Sequence, residues 1–266
     1  MKSLSSKFDT CLLVSSIILF IYLTFRLFNQ FSIVEQFPID NIANDHSAHM
    51  SKLFILDQYG LRGFVPNWYG GFAPFKVYPP GWQIVALPFY KLTNNVGFAT
   101  YIVMLISIIL MFCGFYLLSK VERFNGIKLF AFFSFFLGNA LSIGFLFRLG
   151  KYPELLGWSL FVIFFSLILY YKNKSLFPNG ILLIGLIMSL IFYIHLLVFI
   201  LFSILFLCLF LYKNSTKERI NILLTILFIA ILTSVFWIPF LKVLPQTAVS
   251  DFYPLQKLLI FNKDTF

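Results

Sequence analysis

Residues 180–212 read GILLIGLIMSLIFYIHLLVFILFSILFLCLFLY, an unbroken apolar run whose only His, Lys, Arg, Asp or Glu is His195. As one helix, these 33 residues would extend close to 50 Å at about 1.5 Å each, well beyond a hydrocarbon core of about 30 Å. The run reads instead as two short passages that turn at His195. Charge supports the turn, because Lys213, Lys217 and Arg219 follow the run directly. A single crossing would put them on the opposite side from the other short basic segments, and a hairpin keeps them together.

Five further apolar runs flank this one: Cys11 to Phe28, Val96 to Leu118, Leu129 to Phe147, Leu155 to Tyr171 and Ile220 to Phe240. Lys2 and Lys7 before the first also suit a signal peptide. The apolar stretch is long and no small-x-small cleavage site follows it, so it reads as an anchor. With the N-terminus cytoplasmic, the inner segments are 1–9, 119–128, 172–179 and 213–219. They carry Lys2 and Lys7, then Lys120, Arg123 and Lys128, then Lys172 and Lys174, then Lys213, Lys217 and Arg219, as the positive-inside rule requires. The expected fold is an all-α polytopic protein of the plasma membrane with about seven transmembrane helices. Glu35, Asp40, Asp45, Asp57, Glu154, Asp251 and Asp264 all fall outside, so chemistry is expected there.

Composition agrees. The chain is 60% apolar and only 11% charged, with a mean hydropathy of +0.91, against about 45–50% and 25% in soluble domains. A soluble enzyme and a disordered scaffold are excluded. The net charge of +10 sits in short clusters between apolar runs, which marks topology and membrane lipids rather than nucleic acid. Cys11, Cys113 and Cys208 lie within apolar runs without nearby His or acid, and read as unpaired small hydrophobes.

The first outer loop, 31–95, is the longest polar segment. Asn44 or Asp45 suits an N-cap and Gly60 a stop, which predicts a helix from Asp45 to Tyr59 lying against the membrane surface. Asp45, His49 and Lys52 fall at i, i+4 and i+7 and share one face of it. A capped helix with solvated polar residues explains Asp45 and Lys52 equally well. Two His within four residues, in a chain with three, fit that plain account less well. His46 and His49 at i, i+3 can share a metal, but no Cys or Glu completes a zinc set and HExxH is absent.

Gly60 to Trp82 is too rich in Gly and Pro for a helix, and Trp68, Tyr69, Tyr78 and Trp82 suit either an interfacial belt or stacking on carbohydrate. The order Asp45-x-x-x-His49, Gly60, Pro66-x-Trp68, Gly70-Gly71-x-x-Pro74 and Tyr78-Pro79-Pro80 resembles the first outer loop of GT-C type membrane glycosyltransferases. The resemblance is strongest to the prokaryotic branch labelled 6-pyruvoyl-tetrahydropterin-synthase-related membrane proteins. About 40 residues carry it, and the remainder is similar in layout only. The chain lacks the tandem acidic pair, the later spans and the soluble C-terminal domain of many relatives. The expected organisation is one GT-C-like transmembrane domain, 1–266, truncated at its C-terminus.

That resemblance implies an inverting glycosyltransferase that moves a sugar from a polyprenyl-phosphate-linked donor to a lipid, glycan or protein acceptor on the outer face. Asp45 would be the general base, with Asp40 as substitute. A solvated carboxylate is a weak base, so this role needs a desolvated setting or an acceptor organised by a divalent metal such as Mg or Mn. His46 or His49 would orient the base or bind that metal. Trp68, Tyr69 and Tyr78 would stack on sugar. Arg148 and Lys151, followed by Glu154, would hold the donor phosphate, although lipid headgroup anchoring explains the two cations equally well. His195 is either a functional ionisable residue at membrane depth or an imidazole tied to a backbone carbonyl at the helix break. The competing classes are a lipid or solute transporter, whose paired broken helices in repeated halves are not seen, and a non-catalytic assembly subunit.

Overall fold

The computed structural model describes residues 2–37, 45–66, 71, 73–138, 143–176 and 178–247. Every regular element among them is helical: α1 (Lys2–Glu35), α2 (Asp45–Tyr59), α3 (Pro74–Val77), α4 (Gly81–Thr93), α5 (Val96–Glu122) and α6 (Gly126–Gly138), then α7 (Ile143–Leu149), α8 (Tyr152–Lys172), α9 (Pro178–Ile194), α10 (Leu196–Tyr212) and α11 (Thr216–Thr247). Among the described residues, four helices are long and apolar enough to cross a membrane, over Lys7–Glu35, Val96–Glu122, Tyr152–Lys172 and Thr216–Lys242. The chain is an all-helical membrane protein. Its outward surface shows why: Phe8, Ile18, Phe25 and Phe28 on α1 and Ile231 and Val235 on α11 are exposed, a shell that water would not tolerate over such an area. Several inward hydroxyls are satisfied within their own helices. Ser107 and Thr233, both buried, donate to the carbonyls four residues earlier at 2.8 and 2.7 Å.

Local sequence sets the helix ends. Asn95 caps α5 by accepting the Phe98 N–H at 2.9 Å, and Asn125 accepts the Lys128 N–H at 2.9 Å as α6 begins. At the end of α5, Arg123 takes a left-handed conformation, φ 56°, while the Phe124 N–H returns to the Ser119 carbonyl at 2.9 Å. The chain can thus reverse into α6 within three residues. The centre of the molecule is the pairing of α5 with α8, where the buried Ser166 hydroxyl also reaches the Gly114 carbonyl at 3.2 Å. Around it, α1 packs on α5 and α6, and α8 with α9, α10 and α11 forms a second apolar cluster that includes Phe164, Ile184, Phe202 and Ile222.

The long apolar run is broken at His195 as expected, and its two halves form a hairpin. The Tyr212 hydroxyl at the end of α10 reaches Asn173, Lys213 donates to the Lys174 carbonyl at 2.7 Å, and Asn221 donates to the Leu176 carbonyl at 3.0 Å. The end of α10 therefore lies back beside the start of α9. The third expected run departs from a single helix: it is α6 of 13 residues, then α7, with 139–142 between them outside the described residues. A second departure is α4. Gly60 to Trp82 was expected to hold no helix, yet α3 makes one turn from Pro74 and α4 starts at Gly81. Pro74 stands at the first helical position and Pro80 at the N-cap, places where a missing N–H costs nothing, so these prolines start helices instead of preventing them.

Candidate functional site

The sequence placed chemistry in the first outer loop, and α2 runs from Asp45 to Tyr59 as expected, although Asn44, the alternative cap, lies outside the described residues. One face of α2 turns into the bundle: His46, His49, Met50 and Leu53 are buried, while Asp45 stays exposed. His46 is fixed from both sides. Its Nδ1 lies 2.5 Å from the Tyr152 hydroxyl and its Nε2 lies 3.1 Å from the Arg148 carbonyl. A carbonyl can only accept, so Nε2 carries the proton, and in the neutral imidazole Nδ1 accepts from the Tyr152 hydroxyl. Burial drives the same result by holding His46 below the usual imidazole range, against the opposing pull of the Arg148 carbonyl and Asp45.

The backbone around Gly150 makes this contact possible. α7 ends with Gly150 in the left-handed region, φ 69°, and with the Lys151 N–H returning to the Leu146 carbonyl at 3.0 Å, a Schellman stop. A Cβ on Gly150 would lie 2.5 Å from the His46 backbone nitrogen, so only glycine serves both the turn and the approach of α2.

His49 sits deeper among rings. Tyr78, Trp82 and Tyr152 surround it at centroid distances of 5.9, 6.3 and 6.4 Å, and Trp82 stacks on Tyr152 at 5.7 Å and 20°. Its Nδ1 is buried without a hydrogen-bond partner among the described residues. Burial pushes His49 down to about 3, with Lys52, His195 and His46 adding to the shift. Lys52, one turn along, rests its ammonium 3.7 Å from the centre of the Tyr78 ring. Burial lowers Lys52 from its ordinary value while Asp45 draws it back up, and burial raises the Tyr78 phenol above its usual range. Lys52 thus lies within electrostatic reach of both Asp45 and His49, as a shared helix face should allow.

The opposite wall comes from α8 and the α9–α10 turn. Lys151 and Glu154 pair at 3.7 Å, and Glu154 also accepts from the Trp158 indole at 3.4 Å. His195 caps α10 by accepting the Val198 N–H at 3.4 Å, so its tie is to an amide and not to the expected carbonyl. Glu154 and Lys151 lie within electrostatic reach of His195, and His195 within reach of His49. Gly81 closes the assembly, for a Cβ there would lie 2.5 Å from the Tyr193 carbonyl oxygen. All three histidines of the chain thus meet at one end of the bundle.

Several expected roles change in this light. Trp82 is core, 1% exposed and stacked on Tyr152, and is unavailable to sugar. Lys151 is paired with Glu154, while Arg148 is exposed and supplies its carbonyl to His46. Asp40, Trp68 and Tyr69 lie outside the described residues. No group of three His, Cys, Asp or Glu able to hold a metal occurs among the described residues, and both His46 nitrogens are already engaged. Both His46 nitrogens therefore hold α2 against the α7–α8 corner. Tyr152 and Gln83 were not singled out in the sequence; Gln83 is fully buried with neither end of its amide partnered among the described residues. Comparisons with protein-family models, with curated proteins and with solved structures find no match to this chain.

Proposed function

We propose that the protein is a membrane glycosyltransferase of the GT-C type, which transfers a sugar from a polyprenyl-phosphate-linked donor to an acceptor hydroxyl at the histidine end of the bundle. The observation that carries this reading is the convergence there of an exposed carboxylate, Asp45, with the cations Lys52 and Lys151 around a buried His and Tyr cluster. A transfer with inversion asks for those groups in opposition. Asp45 takes the proton of the acceptor hydroxyl as its oxygen bonds to the anomeric carbon. The bond from that carbon to the lipid phosphate oxygen breaks on the far side, and the phosphate leaves with its negative charge facing Lys151 and the Arg148 side chain, across from α2. His46, locked between Tyr152 and the Arg148 carbonyl, keeps α2 and hence Asp45 in place.

In this reading α1, α5, α6 with α7, α8, α9, α10 and α11 make seven passages of the plasma membrane, with the N-terminus cytoplasmic and the histidine end outside. Short helices α9 and α10, 17 residues each, extend about 25 Å, close to a hydrocarbon core. The test is incubation of the purified full chain in liposomes with polyprenyl-phosphate hexoses and an envelope extract as acceptor. Transfer with release of polyprenyl phosphate and inversion at the anomeric carbon is expected. Movement of the intact donor across the bilayer without transfer would make the chain a lipid transporter. Orientation has its own check: a cysteine at Ser215, after replacement of Cys11, Cys113 and Cys208, should resist an impermeant thiol reagent in intact cells.

A further inference from the structure

Beside the Gly81–Tyr193 contact lies a groove of about 330 Å³, between the first loop, α4, α9 and α11, with neither Asp45 nor His49 in its lining. Its walls are apolar, formed by Phe75, Ile84, Val235, Phe236 and Pro239, and its polar edge carries Arg62 and Lys76. Both cations are exposed, and among the described residues neither has an ion pair and no acid lines the groove. Ile84 and Val235 on the opposite edge are also exposed. The groove is therefore open, positive on one margin and greasy on the other.

Its level in the bundle fixes what fits. Val235 to Pro239 belong to the last turns of the apolar span that ends at Lys242, where hydrocarbon gives way to headgroups. Arg62, in the turn after α2, and Lys76, on α3, line the same groove. We infer that this groove seats one anionic glycerophospholipid of the surrounding bilayer, its phosphate between Arg62 and Lys76 and the start of an acyl chain along Ile84, Val235 and Phe236. Two cations without an acid favour a headgroup with net negative charge over a zwitterion, in which the choline or ethanolamine cation would be repelled. The size suits a headgroup and the first part of a chain, since ligand sites run from about 300 to 1,000 Å³. The site is separate from Asp45 and does not depend on the transfer reaction.

Native mass spectrometry of the detergent-solubilised full chain tests it, with phosphatidylglycerol and phosphatidylcholine of identical chains titrated in parallel. A single phosphatidylglycerol adduct is expected, preferred over phosphatidylcholine. Replacing both cations, R62A with K76A, should weaken it about 25-fold, at about fivefold per surface cation, while R62K retains it. Val235→Trp, which fills the apolar edge without touching charge, should weaken it as well. The named side chains are exposed, and an unchanged melting transition checks that each variant is folded. Equal binding of the two lipids, or no loss in the double variant, overturns the proposal. Full displacement by glycerol 3-phosphate would show that the tail has no part, and preferential displacement by an equimolar polyprenyl phosphate would assign the groove to another lipid; each also overturns it.

Discussion

The two ends of α8 hold their charged groups in opposite ways. At its start, around Tyr152, imidazoles and phenols are buried beside cations and carboxylates, and one imidazole nitrogen, His49 Nδ1, has no partner among the described residues. At its far end, about 30 Å away along 21 residues, the charges neutralise one another locally. Lys213, buried, donates to the Lys174 carbonyl at 2.7 Å and to Glu218 at 3.3 Å, and Arg219 donates to the Lys213 carbonyl at 2.7 Å. That end is a fastener joining α9, α10 and α11. The contrast teaches that a buried cation is not in itself a sign of chemistry: what matters is whether its field is spent on the fold or left facing an open rim.

The contrast breaks first, and most strongly, at the fastener. Lys213→Met leaves Glu218 and the Lys174 carbonyl without their partner and should cost about 3–5 kcal/mol, read as a lower melting transition in detergent. If stability stayed unchanged, the lysine end would be a solvated surface and the contrast would fail. His46→Ala should cost about 2–4 kcal/mol, because the Tyr152 hydroxyl and the Arg148 carbonyl both lose a partner and a cavity remains. Tyr152→Phe, which removes one of those bonds and no ring, should cost less than half as much; equal losses would place the stabilising effect of His46 in packing alone.

A gentler effect is a pH response confined to the histidine end. An unfolded imidazole takes its proton near 6.5, whereas folded His49 does so only at about 3. As pH falls below about 6.5 the unfolded chain binds a proton that the folded chain refuses, so stability declines through the window from 6.5 towards 3. At pH 5 the loss relative to pH 8 is about 2 kcal/mol from this residue. His46, also held below its usual range by burial, adds a slope of the same sign. His49→Phe should flatten the melting profile between pH 7 and 5, while Lys213→Met should leave its slope alone. An identical slope in wild type and His49→Phe would show that His49 is not the group refusing the proton.

Much of this was legible in the chain. The bounds of α2 follow from a cap residue and a stop glycine, and the break at His195 from length against membrane thickness, both of them local or nearly local signals. The face shared by Asp45, His49 and Lys52 needs only helical periodicity. What the sequence left hidden is the partnership of those residues. His46 and Tyr152 are 106 positions apart, and nothing near either one announces the other. Trp82 read as an interfacial ring because burial against Tyr152 depends on how α4 meets α8. α4 was missed because prolines at 79 and 80 read as breakers, when their place just before a helix makes them starters.

Sugar transfer by Asp45→Asn and Lys213→Met, compared in the same liposomes at matched folded fractions, tests the division between the two ends most directly. Asp45→Asn keeps the size of the side chain and removes its basicity; it should lower the rate about 10²–10⁴-fold with an unchanged melting transition. Lys213→Met should melt earlier and yet transfer sugar at the wild-type rate per folded molecule. Full activity in Asp45→Asn, or loss of activity in folded Lys213→Met, would contradict the assignment of chemistry to the histidine end.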